Sequence, residues 1–250
     1  VRIRFLKRPA AGRVCFWLDL DNTLHNASLH ILPAINRSMT QYVAQTLSLE
    51  DEQASALRNA YWLKYGATLL GMIRHHGVDA QDFLDRTHVL PDLRRQIVPN
   101  PRMRQLLMRL PGNRILLTNA PLDYTRRVLR QLRIDKAIHA VVSIDHMWIH
   151  SRLQPKPAAL LWPALQRQVP GARHVLFEDT LGHLKTVRGQ AMGTVWIVPP
   201  LMSAGQAAGK PPFVDHKVRH FGQCRPWIYR AVGDTERLIG LRKPRSQGRA

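Results

Sequence analysis

Phe16-Trp17-Leu18-Asp19-Leu20-Asp21-Asn22-Thr23-Leu24 is the stretch on which the reading of this chain turns. An apolar run from Val14 to Leu20 reads as a buried strand. It ends in two aspartates one residue apart, with Thr23 two further on. Alternation along a strand would put Asp19 and Asp21 on one face; at a strand end they would instead share a turn, both carboxylates near one point. Carboxylates that close repel unless a cation or a proton lies between them. The stretch therefore asks for a metal, and a carboxylate held by a metal can also act as a nucleophile.

On the C-terminal side the rhythm turns helical. Leu32, Ile35, Met39, Val43 and Leu47 recur at helical spacing, Ser48-Leu49-Glu50-Asp51 offers a capping-box start, and Gly66 interrupts the helix that follows. A third helical piece runs from about Thr68 to His75, and a fourth starts at Asp79 and ends before Pro91. Residues 25–97 thus read as an all-helical insertion. After the break at Pro99-Asn100-Pro101 come a helix closed by Pro111-Gly112 and then alternating short elements. Strands are predicted at 114–119, 139–144, 173–177 and 194–198, with helices at 124–132, 157–168 and 181–190 between them. That alternation predicts an α/β fold, a parallel sheet covered by helices on both faces, with ligands at the carboxyl ends of the strands.

Those strand ends carry chemistry. The strand at 114–119 finishes in Thr118-Asn119, suited to phosphate oxygens, although alone such a pair reads more simply as a turn. Lys156, between Pro155 and Pro157, precedes a helix with its backbone restricted. Glu178-Asp179 follows Val175-Leu176-Phe177, and alone would pass for a helix cap. Taken in order, D-x-D-x-T, T-N, K-P and E-D resemble the motif series of the haloacid dehalogenase-like (HAD) phosphohydrolases, over residues 14–24 and about 98–198. The resemblance implies a three-layer Rossmann-like core with a parallel sheet, residues 14–24 and 98–200, and an inserted all-helical (C1-type) cap over 25–97. Asp-Asn-Thr-Leu, Tyr65-Gly66, His76-Gly77-Val78-Asp79 and Leu116–Pro121 are similar to the pyrimidine 5'-nucleotidase branch.

The resemblance implies a mechanism. Asp19 would attack phosphorus, and Asp21 would protonate the leaving alcohol and then deprotonate the hydrolytic water. Mg²⁺ would be held by Asp19, the main-chain carbonyl of Asp21 and Asp179, with Glu178 helping directly or through water. Thr118 and Asn119 would bind phosphoryl oxygens, and Lys156 would neutralise Asp19 and the phosphate. The cap would act as a lid, where Tyr65 is a candidate to stack on a base and His75 or His76 to reach the substrate. Glu178 stands where many relatives have aspartate, which reads as tuning of the metal site. The presence of Asp21 argues against dehalogenase chemistry. The substrate class implied is a small phosphomonoester, a nucleoside monophosphate first, with phosphoglycolate or a sugar phosphate as the alternative.

Composition adds a separate constraint. The 250 residues carry a formal net charge of +20. Such a surface attracts anions: phosphorylated metabolites, nucleic acid or anionic lipid. Residues 1–13 read as a basic arm. Residues 201–212 read as a linker, and 213–250 as a basic tail with some aromatics and one helix near 225–241, so 201–250 as a whole is expected to be partly disordered and able to grip a nucleic acid or another anionic surface. Cys15 and Cys224, far apart, make neither a disulfide framework nor a metal-ligand spacing. With no apolar run long enough to span a membrane, a reducing cytoplasm is the expected location. The chain opens with Val1 rather than methionine, as an alternative start codon or a missing upstream segment would produce.

Overall fold

The strand Val14–Leu18 (β1) is apolar at every position because both of its faces are buried, as the centre of a parallel sheet requires. Val14, Phe16 and Leu18 point into one core while Cys15 and Trp17 point into the other. The other strands follow in chain order: β2 (Asn113–Leu117), β3 (Ala140–Val142), a small hairpin of β4 (Trp148–Ile149) and β5 (Arg152–Leu153), β6 (Arg173–Glu178), β7 (Met192–Ile197) and β8 (His216–Val218). The computed structural model describes Ile3 and residues 14–170 and 173–224. Six strands form one sheet in the order β3-β2-β1-β6-β7-β8, every neighbour parallel. The register places Leu18 beside Leu116 on one side and Phe177 on the other, so β1, β2 and β6 end together.

The cap holds α1 (Ile31–Leu47), α2 (Asp51–Tyr65), α3 (Thr68–His76), α4 (Ala80–Thr87) and the single turn α5 (Leu93–Gln96). Its interior is built on Tyr42, Val43, Ala54, Met72 and Phe83, with the rings of Tyr42 and Phe83 edge to face at 4.9 Å. Ser48 is not a helix start. It closes α1 at φ +53°, and α2 begins at Asp51 without a side-chain cap. Asp79 does cap α4, accepting a hydrogen bond from the main-chain nitrogen of Asp82. Gly66 ends α2 at φ +79°, and a Cβ there would lie 2.3 Å from Cδ of Pro157. Only glycine meets both conditions, and through it the cap rests on the lysine loop of the core. Below the cap, α6 (Pro101–Arg109) and α7 (Leu122–Gln131) cover one face of the sheet, and α8 (Leu161–Gln166) and α9 (Leu181–Thr186) the other. No helix of the described residues is long and apolar enough to cross a membrane.

The expected linker and tail need correction where they are described. Residues 216–218 add the sixth strand, and the 3₁₀ turn Phe221–Cys224 packs into the core, with the rings of Phe177 and Phe221 5.2 Å apart. Lys210 and Lys217 donate to main-chain carbonyls of this segment instead of lying free. The predicted helix near 225–241 and the basic arm lie outside the described residues, Ile3 excepted, which is buried. Because Phe221 is a core side chain, Phe221→Ala is expected to cost about 3–5 kcal/mol in urea unfolding. A residue of a solvated tail would shift the midpoint by less than about 0.5 kcal/mol.

Candidate active site

The three central strands end in Asp19, Thr118 and Glu178, and the loop before α8 brings Lys156 among them. A cleft of about 360 Å³ between core and cap is lined by Asp19, Asp21, Thr118, Asn119, Lys156, Glu178 and Asp179. Seven residues drawn from four separate stretches of sequence thus share one cavity. Lys156, 1% exposed, donates from Nζ to Asp19 Oδ1 at 2.7 Å and to Glu178 Oε2 at 2.6 Å. Burial opposes its charge, but the two carboxylates prevail and hold the ammonium above its usual range.

The acids answer differently to the same surroundings. Burial and the charge of Glu178 push Asp19 up to about 6, despite Lys156. Burial likewise lifts Asp179 well above the carboxylate range, assisted by Glu178 and Asp19. Glu178 goes the other way: burial raises it, but Lys156 and His183 more than offset that and hold it low. Its oxygens are engaged by Lys156, by the main-chain nitrogen of Thr180 at 3.2 Å and by His183 Nδ1 at 3.1 Å. Oxygens of Asp19, Glu178 and Asp179 come within 4.8 Å of one another. Three acids crowd one lysine, so that burial and mutual repulsion favour protons on Asp19 and Asp179, and an all-oxygen set of this kind fits a hard divalent cation in the protons' place. Asp179 meets only neutral donors, Thr180 Oγ1 at 3.0 Å on Oδ1 and Asn22 Nδ2 at 3.2 Å on Oδ2, and Asp19 keeps Oδ2 clear of Lys156.

Asp21 stands apart from that group. Its Oδ1 accepts from Tyr124 Oη at 2.6 Å and pairs with His25 Nε2 at 2.9 Å. Burial raises its pKa, but His25, Tyr124 and the nearby His88 outweigh burial and hold it below the usual range. Its carboxylate is therefore not one of the clustered metal donors, and only the main-chain carbonyl remains for the role the resemblance implies. Asn22 explains the spelling of the motif. It sits at φ +60°, a region asparagine tolerates, and its Oδ1 accepts from Ala27 N, Ser28 N and Ser28 Oγ while Nδ2 donates to Asp179.

Two expectations change. The side chain of Asn119 is engaged by Lys156: Nδ2 donates to the Lys156 carbonyl at 2.8 Å and Oδ1 accepts from the Lys156 main-chain nitrogen at 2.9 Å. Asn119 positions the lysine rather than offering its amide to phosphate. Tyr65 does not line the cleft. Its hydroxyl pairs with His75 Nε2 at 2.6 Å, within a cluster that includes Tyr61 and His76. The reason is helical phase. Arg58, Trp62 and Gly66, four apart, form the face of α2 that looks into the cleft, while Tyr61 and Tyr65 form the next face, toward α3. Sequence reading passed over Trp62, His25, His88 and His183. The i, i+4 spacing of Asp21 to His25 and of Arg58 to Trp62 to Gly66 was the available signal.

No family model matches this chain. Among curated proteins it is 26% identical over 140 residues to Phosphate metabolism protein 8 of Saccharomyces cerevisiae, an alignment covering 52% of this chain. It spans 43% of that relative, less than half its length. Among solved structures, CbbY from Rhodobacter sphaeroides in complex with phosphate aligns with a TM-score of 0.54 at 15% identity, over 85% of this chain and 96% of that one. L-2-haloacid dehalogenase from Xanthobacter autotrophicus aligns with a TM-score of 0.50 at 14% identity, over 87% and 98%. At such identities the likeness is one of architecture. The parallel six-stranded sheet with flanking helices is a Rossmann-like α/β fold, shared with solved hydrolases of the haloacid dehalogenase type.

Proposed function

We propose that this chain is a metal-dependent phosphomonoesterase working through an aspartyl-phosphate, with nucleoside monophosphates as the favoured substrates. The observation that carries the reading is Lys156, bridging Asp19 and Glu178 in a buried cleft that also holds Asp21, Thr118 and Asp179. Lysine holds Asp19 Oδ1, so Oδ2 is the oxygen for phosphorus. The Asp19–phosphorus bond forms as the phosphorus–alkoxide bond breaks, and Asp21 gives its proton to the leaving oxygen. Water then attacks the aspartyl-phosphate, Asp21 takes the water's proton, and phosphate leaves. The first step needs a protonated Asp21, which its partners disfavour, and an arriving phosphate dianion would raise its pKa by repulsion. In this reading Thr118, at the end of β2, donates to a phosphoryl oxygen, and Lys156 balances charge throughout. Asp19 and Asp179, with Glu178 behind them, would hold Mg²⁺, whose contribution when bound is to neutralise phosphoryl charge.

The choice of a nucleotide rests on the cap. Trp62 lines the cleft and is 52% exposed, a ring without a cover where a leaving group would sit. Arg58 beside it is steadied by Thr40 and Asn36, with Nε donating to Thr40 Oγ1 and Nη1 to Asn36 Oδ1. An indole and a guanidinium together suit a planar, hydrogen-bonding base.

Phosphate release from UMP, CMP, phosphoglycolate and sugar phosphates, with and without Mg²⁺, tests the reading. Asp19→Asn is expected to lower kcat by at least 10³-fold, roughly the loss of an essential group; full magnesium-dependent turnover would remove the nucleophile assignment. Trp62→Ala is expected to raise KM for UMP by about 10-fold, within the usual range for base stacking, and to leave glycerol phosphate unchanged. Equal effects on both substrates would count against base recognition. Lys156→Met leaves two buried carboxylates without their cation and is expected to destabilise the fold by about 3–5 kcal/mol near pH 7. The sign with pH follows from Glu178. Its folded pKa is depressed in the native protein, so its stabilisation is present above the ordinary glutamate range and is lost on acidification. The variant lacks that term, so its deficit should stay level from pH 7 to the ordinary glutamate value of 4.5 and narrow below it, toward about pH 3, in urea unfolding.

A further inference from the structure

The turn 22–26 has a second side. Behind it lies a cavity of about 710 Å³, larger than the catalytic cleft, bounded by this turn, α6 and the segment 219–222. Asn22 lines both spaces. Arg102, Arg109, Arg219 and His220 stand exposed around the cavity, and no aspartate or glutamate lines it. None of the three guanidiniums has an acidic partner among the described residues. Thr23 and His25 belong to the inner wall, Thr23 5% exposed and the side chain of His25 6% exposed.

We propose that this cavity is a second binding site, taking a compact polyphosphate anion, and that its occupant is linked to Asp21 through His25. Guanidiniums arranged around a concave space match several phosphate groups held close together, and the volume falls in the range of small-ligand sites. A nucleic-acid strand would call for an extended basic track with stacking rings. The link is direct. His25 Nε2 holds Asp21 Oδ1 at 2.9 Å, and His25 belongs to the cavity lining, so a ligand packed against it bears on the ring that places the Asp21 carboxylate. Catalytic cleft and cavity thus share one imidazole.

The test uses the full chain and tripolyphosphate. In calorimetric titration without Mg²⁺, Arg102→Glu/Arg109→Glu is expected to weaken binding at least tenfold. The control pair Arg94→Glu/Arg95→Glu, with the same change of charge on α5, and Thr118→Ala in the cleft are expected to change it less than twofold. In hydrolysis of p-nitrophenyl phosphate with Mg²⁺ in excess of tripolyphosphate, kcat is expected to shift at least twofold, a change competition at the cleft cannot produce. The Arg102/Arg109 variant is expected to show no such shift. Equal weakening in both arginine pairs, or loss with Thr118→Ala, overturns the site. Binding specific to the cavity with kcat unmoved overturns the link through His25. Binding of a single-stranded oligonucleotide in place of tripolyphosphate overturns the ligand class. Only the kinetic arm rests on the phosphatase reading, so a chain without turnover still answers the binding arm.

Discussion

Lys156 lies between Asp19 and Glu178 with almost none of its surface in water, and the rest of the strand-end architecture is arranged to keep it there. A buried ammonium is tolerated when opposite charge and hydrogen bonds replace its water, and costly otherwise. Two carboxylates supply the charge. Asn119 supplies alignment, gripping the lysine main chain from both sides of its amide. The turn after β2 and the loop carrying the lysine are thereby tied together, although 37 residues separate them.

The same arrangement divides labour among the acids. Asp19, lifted by burial and by Glu178, shares its lysine. Glu178 is the fully satisfied anchor, held by a lysine, a main-chain nitrogen and a histidine. Asp179 is joined to the turn above by Asn22, which also organises the exit toward the cap. Asp21 is tethered separately by Tyr124 and His25. The proposed nucleophile and proton carrier therefore sit in distinct electrostatic surroundings two residues apart, and such separation lets like groups take unlike roles.

Much of the core could be read from the chain because chemistry-bearing residues stand where apolar runs stop. Asp19, Thr118 and Glu178 each follow a run such as Val14–Leu18, Ile115–Leu117 or Val175–Phe177, and parallel strands necessarily bring such ends together. The cap was harder. Whether Tyr65 or Trp62 faces the cleft depends on how α2 is rotated against α1, α3 and the core, and α2 has an apolar face too weakly marked to settle its phase. The partner of Asn119 was out of reach because long-range hydrogen bonds leave no local trace. Residues 213–224 were misread for a related reason. A three-residue strand in a stretch where Asp215, Lys217, Arg219 and Gln223 are interspersed with histidines has the composition of a solvated basic tail, and Phe213, Val214, Val218, Phe221 and Cys224 are its hints of burial.

The sheet begins and ends on strands of three residues each, β3 and β8. An outer strand exposes unpaired main-chain donors and acceptors, which invite a neighbouring molecule to add its own strand. Here that invitation is brief at both margins, and at one of them Lys217 is folded back onto carbonyls of its own chain. A sheet with these margins offers little template for fibrous growth by strand addition.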